Sequence, residues 1–364
     1  GQINAITILL LLLLLIATLS NVYCIGNEET AWEKWAIYVK IILFYFFSIA
    51  ILRKKIHFDT LIWMLVISIG ALAAGEGLKF VMSAGSHRIA GLKGIAGDNN
   101  FFGVMIVMVI PLALYILSQT RDKTLKSGLV FLIILMILGL FSTYSRGAFL
   151  GLSILLIFTI KNSDRKFVWI IIMIIIWGGG VQFIPEEWMS RMDTIGNADE
   201  DSSFMGRVVA WKIATLIALD NPLGGGFRAI ENNIVWFKYT QVFDTLSFIT
   251  TPFPNEYHFH ATHSMYFQIL SNHGFLGLVV FLSILFICIK KLNKIEKKSV
   301  NSSLDDWIIK LARALKVSLI AYCFSGAGVN VAYFDILYLI FAFTVALENK
   351  VENMLWSIDS GKKA

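Results

Sequence analysis

Of the six histidines in the chain, His258, His260, His263 and His273 fall within 16 residues, just before and into an apolar run. Such a cluster can ligate a metal or supply a general base near neutral pH. A catalytic metal site would want a carboxylate or cysteine close by, and only Glu256 offers one. A base needs one neutral imidazole and a neighbour to orient it, so the chemistry favours a base over a metal. The alternative is a set of interfacial histidines with no catalytic role.

A second candidate is Thr143-Tyr144-Ser145-Arg146-Gly147-Ala148, which lies between two apolar runs. The run from Gly147 to Ile160 reaches only about 21 Å at 1.5 Å per residue, against a hydrocarbon core of roughly 30 Å. Arg146 is therefore expected near the hydrocarbon boundary, where an unpaired guanidinium costs several kcal/mol and marks a functional site. Ser145 can cap the helix behind it, leaving the arginine at a helix N-terminus that attracts phosphate. Otherwise Arg146 is an arginine that snorkels to lipid headgroups.

Gly206-Arg207-Val208-Val209-Ala210-Trp211 sets Arg207 and Trp211 four residues apart, on one helical face, where the indole can brace the guanidinium. Read locally, this is an ordinary surface arginine. The 76–103 connection holds Glu76, Lys79, Arg88, Lys93 and Gly97-Asp98-Asn99-Asn100, with glycines at 85, 91, 94 and 97. Its basic balance suits an anion, and its glycines suit backbone bent close to a ligand. Asp199-Glu200-Asp201 has the Asp-x-Asp form of metal-dependent nucleotide-sugar transferases, but its topological position makes it a helix-capping acidic loop.

The elements that must carry these residues follow from composition. The chain has 364 residues, 57% hydrophobic and 15% charged, where soluble domains carry about 25% charged residues. A soluble protein is excluded. Spans are predicted at about 3–22, 35–52, 58–75, 100–118, 127–143, 147–160, 167–184, 268–289, 314–327 and 333–348. The chain opens at Gly1 without an initiator Met, so its first helix is expected to lie near a trimmed N-terminus. Cys24, Cys288 and Cys323 lie in or beside apolar runs and indicate neither a disulfide framework nor a thiolate metal site.

Connections alternate in charge. Arg53-Lys54-Lys55, Arg121 to Lys126, Lys161 to Lys166 and Lys290 to Lys316 are basic, and the positive-inside rule puts them in the cytoplasm. Twenty of the 31 basic residues fall on that side, so the net charge of +6 is mostly topology and a nucleic-acid partner is not indicated. The 76–99 connection, the Tyr144 turn and the segment 185–262 are then extracytoplasmic. That segment has ten acidic and five basic residues over 78 positions and is too aromatic to be disordered. It should hold a helix from about Phe204 to Leu219, stopped by Asn221-Pro222 and a Gly224-Gly225-Gly226 hinge, and a second from Ala229 to Tyr239, as a lid. Three regions result: 1–184 with the first seven spans and the phosphate-binding connections, 185–262 as a catalytic lid loop, and 263–364 with the last spans and a cytoplasmic tail.

Four segments in order, Gly97 to Gly103, Thr143 to Gly151, Gly206-Arg207 with Trp211, and His260 to Gln268, resemble the O-antigen ligase family over about 75–345. The branch that looks closest is the O-glycosylation ligases associated with exosortase systems. The chain departs at Ser271-Asn272-His273-Gly274, with Asn272 where relatives often carry Glu.

The resemblance implies an all-α polytopic membrane protein, GT-C-like, with around a dozen helices and a large periplasmic helical loop. Ten spans then lead us to expect one or two further N-terminal helices. It also implies a bacterial inner-membrane glycosyltransferase whose active site faces the periplasm. That enzyme moves a glycan from undecaprenyl diphosphate to lipid A-core or a protein hydroxyl, with neither cofactor nor metal. Arg146 and Arg207 would hold the diphosphate and His263 would take the acceptor proton, giving inversion. Arg88, Lys93, Asp98, Asn99, His260 and Trp211 are candidate substrate-binding residues. An O-antigen polymerase, extending lipid-linked glycan, is the near alternative. A transporter for lipid-linked sugars, or a structural membrane subunit, is the alternative of a different class. The sequence lacks the paired Gly/Pro-broken helices in matching halves that transport would favour, and a structural subunit needs no histidine cluster.

Overall fold

The computed structural model describes residues 4–89, 98–162, 202–256 and 258–360. The expected span at 167–184, the acidic Asp199-Glu200-Asp201 and Lys93 lie outside the described residues. The regular elements among the described residues are helical. They are α1 (Ala5–Val22), α2 (Glu28–Ile51), α3 (Lys55–Met82), α4 (Asn99–Gln119), α5 (Lys123–Phe141), α6 (Arg146–Asn162), α7 (Ser202–Asp220), α8 (Asn233–Thr240), α9 (Met265–Asn301), α10 (Asp306–Ser325) and α11 (Asp335–Asp359). Short 3₁₀ turns occupy Ala229–Glu231, Phe243–Leu246 and Gly326–Gly328.

Among the described residues, 6 helices are long and apolar enough to cross a membrane: α1, α2, α3, α4, α5 and α9. The chain is a multi-pass membrane protein. Three of these helices run further than hydropathy alone foretells, and α9 continues to Asn301. Helix α2 begins at Glu28, through a charged first turn. Helix α3 continues past residue 75 because buried Glu76 is neutralised: Lys79 Nζ lies 2.6 Å from one carboxylate oxygen and His87 Nε2 lies 2.7 Å from the other. Helices α10 and α11 cover the regions expected at 314–327 and 333–348, with charged turns whose partners lie close by. Arg313 and Lys316 both reach Glu296 at 2.7 Å, and Lys291 reaches Glu348 at 2.5 Å.

The chain forms two compact units that interleave in sequence. One comprises residues 45–188, 288–325 and 336–364, the other residues 1–44, 189–287 and 326–335. In the first, α4 is buried along most of its length and packs on α3, α5, α6 and α10. Small residues set the helix spacing. A β-carbon on Gly77 would run into the Leu135 carbonyl, and one on Gly139 into the Ala73 carbonyl. On α6, a β-carbon on Gly147 would lie 3.0 Å from the Ser325 carbonyl, and on α4 one at Gly103 would lie 2.6 Å from Ala148 Cβ.

The second unit is built around α7. Val209, Ala210, Ile213, Ala214, Leu216 and Ile217 of α7 pack on Ile230, Val235, Trp236, Tyr239, Phe243 and Leu246. The predicted second lid helix is divided: a 3₁₀ turn ends at Glu231, and Asn232 Oδ1 then caps α8 by accepting from the Ile234 and Val235 amides. Helix α9 is broken at Gly274, where φ is 65° and ψ is −169°, a conformation reserved for glycine. The break strips partners from the preceding turn, and the 224–226 loop replaces them. The Gly225 amide donates to the Ser271 carbonyl at 2.9 Å, and the Gly226 amide to the Asn272 carbonyl at 3.0 Å.

Candidate functional site

Arg207, His260 and His263, all predicted from sequence as site residues, lie in one unit, Arg207 and the His263 turn beside the connection from α10 to α11 and His260 beside Gly206. Arg207 lies in the first turns of α7, half-buried. Its Nη1 is 3.7 Å from where a β-carbon on Gly328 would stand, so the glycine leaves the guanidinium room against the 326–328 turn. A β-carbon on the neighbouring Gly206 would lie 3.9 Å from the His260 ring. Trp211, one turn on, stacks on Phe267 at 5.0 Å and 4°. Its indole N–H donates to the Thr262 carbonyl at 2.7 Å. The indole thus ties α7 to the residue just before His263, a task that the Arg207–Trp211 spacing does not announce.

His263 has φ 43°, the left-handed region, two residues before α9 begins. Histidine tolerates that region better than most side chains, but it is uncommon and held only by its surroundings. The neighbours of His263 supply the hold. Thr262 Oγ1 donates to Asn330 Oδ1 at 2.6 Å, and the Ser264 amide donates to the same oxygen at 3.0 Å. Further along α9, Gln268 Oε1 accepts from the Ala332 amide at 3.0 Å. One short connection therefore pins both sides of the histidine.

The four histidines separate by environment. His258 and His260 are exposed, with rings 5.7 Å apart and nearly perpendicular, and His260 also meets Trp236 edge-on at 5.8 Å. Partial loss of solvent around its ring, followed by the nearby His258, lowers the His260 pKa below the ordinary histidine value. His263 is half-buried. His273 is fully buried in a closed hydrogen-bond chain: Tyr333 Oη is 2.7 Å from Nε2 and Ser20 Oγ is 3.1 Å from Nδ1. Asn272 Nδ2 donates to Tyr333 Oη at 3.1 Å, and Ser20 Oγ lies 2.6 Å from the Leu223 carbonyl. In the tautomer with the proton on Nδ1, the Tyr333 hydroxyl donates to Nε2 and every polar atom of the ring has a partner. His273 is a satisfied core histidine, and Asn272, whose Oδ1 accepts from the Arg228 amide at 3.2 Å, is a core amide beside it.

Arg146 is built in the other unit. It is the first residue of α6, half-buried, and Ser145 Oγ caps that helix by accepting from the Ala148 amide at 3.3 Å. Tyr144, just before the cap, has φ 52°, and its hydroxyl donates to the Gly85 carbonyl at 2.9 Å. Arg88 lies over the Tyr144 ring at 5.7 Å, and the Ile89 amide donates to the Ser142 carbonyl at 3.0 Å. Asp98 caps α4 through the Asn100 amide at 2.9 Å, and Asn99 Nδ2 donates to the Thr143 carbonyl at 2.7 Å. Of Arg88, Asp98 and Asn99, read from sequence as substrate contacts, Asn99 ties to the backbone of the arginine turn, Arg88 lies on its tyrosine ring and Asp98 caps α4.

Sequence reasoning missed Asn330, Gly328 and the Glu76–His87 pair. Asn330 carries one local signal, a lone amide in the apolar, glycine-rich run from Gly326 to Ala332. Its partners lie 66 and 68 residues away, beyond any periodicity.

The O-antigen ligase family matches residues 131–282, a range that holds Arg146, Arg207, His260 and His263. A family of unknown function, DUF5935, matches residues 2–124. No curated protein matches the chain. Residues 131–282 of this multi-pass membrane chain therefore form a domain that matches the O-antigen ligase family.

Proposed function

We propose that the chain is a membrane glycosyltransferase that moves a glycan from undecaprenyl diphosphate to an acceptor hydroxyl, on lipid A-core or a protein Ser/Thr. The reaction takes place at the periplasmic face of a bacterial inner membrane, in a GT-C-like fold of about ten spans. One observation supports this reading above the rest: Arg207 and the turn of His263 meet at residues 328–330, with His263 held in a left-handed turn by Asn330 and His260 beside Gly206. That brings an always-charged bidentate anion ligand near an imidazole able to accept a proton.

In the proposed step the acceptor oxygen attacks the anomeric carbon as the bond from that carbon to the diphosphate oxygen breaks. His263 takes the acceptor proton, and lipid diphosphate leaves carrying the bonding electron pair. Attack from the face opposite the leaving group inverts the anomeric centre. Arg207 stabilises the charge that grows on the departing phosphate, where donors that need not reorganise act most strongly. His260, kept neutral by its setting, orients the acceptor, and Trp211 keeps α7 in register with Thr262. Arg146, capped by Ser145 at the start of α6, is proposed as a second phosphate ligand. Arg88, Asp98 and Asn99 serve it by shaping the turn it follows, and Lys93 remains a proposed substrate contact.

The test is reconstitution of the full chain with undecaprenyl-diphosphate glycan and candidate acceptors, beside His263→Ala and Arg207→Ala. Acceptor conjugate formed by the wild type and lost in both variants is the expected result. Wild-type turnover that survives both substitutions overturns the assignment. Longer lipid-linked glycan in place of conjugate means a polymerase, and glycolipid crossing the bilayer with no bond broken means a transporter.

A further inference from the structure

Helix α8 is apolar on two faces. Val235, Trp236 and Tyr239 point into the core on α7. The opposite face exposes Ile234 at 81% and Phe237 at 42%, and Val242, just past the helix, at 47%. The positions 234, 237, 238 and 241 share one side of a helix, with Lys238 and Gln241 beside the apolar pair. A side of this kind, left open next to a core, marks an interaction surface.

The start of α8 is tied to the ends of two spans of its own unit. A β-carbon on Gly26, in the connection between α1 and α2, would lie 3.1 Å from Ala229 Cα. The Ile25 amide donates to the Gly225 carbonyl at 3.1 Å, and the Phe227 amide donates to Asn21 Oδ1 at 3.1 Å. Asn27 and Thr30 line one cleft with Glu231 and Asn232. Both α1 and α2 are long and apolar enough to span a bilayer, so the connection between them sits at its surface. Eight residues of helix extend about 12 Å from that point. At the exposed end of α1, Val22 and Tyr23 extend apolar surface to the same boundary. The only charge on the outward side of α8, Lys238, is paired with Asp220 at 2.9 Å and carries a long apolar stem.

We infer that α8 lies in the membrane surface, with Ile234, Phe237 and Val242 seated at the boundary between headgroups and acyl chains. The occupant of the open face is lipid, continuous with the lipid around α1 and α2, and the segment after α7 is an interfacial element instead of a free lid. The inference does not depend on glycosyl transfer and stands or falls separately from it.

The experiment places the full chain in nanodiscs of palmitoyl-oleoyl phosphatidylcholine and phosphatidylglycerol at three to one. Cys24, Cys288 and Cys323 are replaced by Ala, and a nitroxide is attached at Ile234→Cys or Phe237→Cys. At both sites we expect greater accessibility to oxygen than to an aqueous nickel chelate. Greater accessibility to nickel overturns the proposal. So does dipolar coupling between labels on two chains, which would make a second copy the occupant. A parallel measurement avoids substitution: the unmodified chain is irradiated in discs carrying a diazirine lipid, with adducts expected on the peptide spanning 233–248. Adducts confined to the spans overturn the inference.

Discussion

The turns before α6 and before α9 use the same backbone device for opposite ends. Each places a left-handed residue two positions ahead of the helix, Tyr144 at φ 52° and His263 at φ 43°, and each follows it with a serine. Each is tethered by an asparagine from elsewhere in its own unit, Asn99 to the Thr143 carbonyl and Asn330 to Thr262 and Ser264. Before α6 the left-handed residue is the scaffold: Tyr144 is bound to Gly85 and lies under Arg88, while the proposed phosphate ligand is Arg146 at the helix start. Before α9 the helix start is the scaffold, with Met265 buried, and the proposed base is the left-handed residue itself. An arginine that must sit still at a positive helix end belongs on the first turn. An imidazole that must meet a proton belongs on the bend, clear of the helix backbone.

His263→Ala should therefore separate the two turns most sharply, lowering turnover by about 10²–10⁴ with little change in unfolding temperature. An equal loss from Tyr144→Ala, with no loss of stability, would erase the distinction. Asn330→Ala leaves the Ser264 amide unpaired and the buried Thr262 hydroxyl with only the longer contact to the Ser264 carbonyl at 3.3 Å, and should cost about 1–3 kcal/mol of stability, with a fall in kcat. Asn330→Asp keeps the accepting oxygen and should restore kcat. If it does not, the tether is not what places His263. Ser145→Ala removes the cap of α6 and should cost about 1 kcal/mol in denaturant unfolding, with its effect on turnover appearing mainly in KM for the donor.

The smallest effect is a pH dependence. The folded-state pKa of His260 lies below the unfolded value, so the folded chain binds fewer protons there. Its contribution to stability is present above the unfolded pKa of about 6.5 and is lost as pH falls below it. Melting curves at pH 7.5 and 5.5 should show a larger drop for the wild type than for His260→Gln, while equal drops would remove His260 from the account.

The spans were legible where hydropathy is continuous. Helices α1, α4 and α5 sit within a few residues of the apolar windows, and α7 within two residues of its predicted bounds. Hydropathy stopped short at Glu28 and Glu76 because it counts charges singly, whereas Glu76 is buried with two partners. The break at Gly274 was not legible, since one glycine in an apolar run has many uses and its geometry depends on a loop some 50 residues earlier. The site divided in the same way. Arginine and histidine candidates announce themselves by type, and His273 announced itself equally well although its ring is a core element. Only its burial against Ser20 and Tyr333 distinguishes it. Asn330 was invisible because its whole role lies in contacts distant in sequence.

The seam between the 224–226 loop itself and the broken α9 is closed by main-chain hydrogen bonds. A β-carbon on Gly224 would collide with the Asn272 carbonyl, and one on Gly274 with the Pro222 carbonyl. Side chains touch only its margins, Asn272 at the Arg228 amide and Ser20 at the Leu223 carbonyl, so alanine scanning of polar or aromatic residues would leave the hydrogen bonds of residues 225 and 226 intact. Gly224 and Gly274 instead behave as one unit of inheritance. A homologue that loses one has no seam left to preserve with the other, and the two positions should change together or not at all.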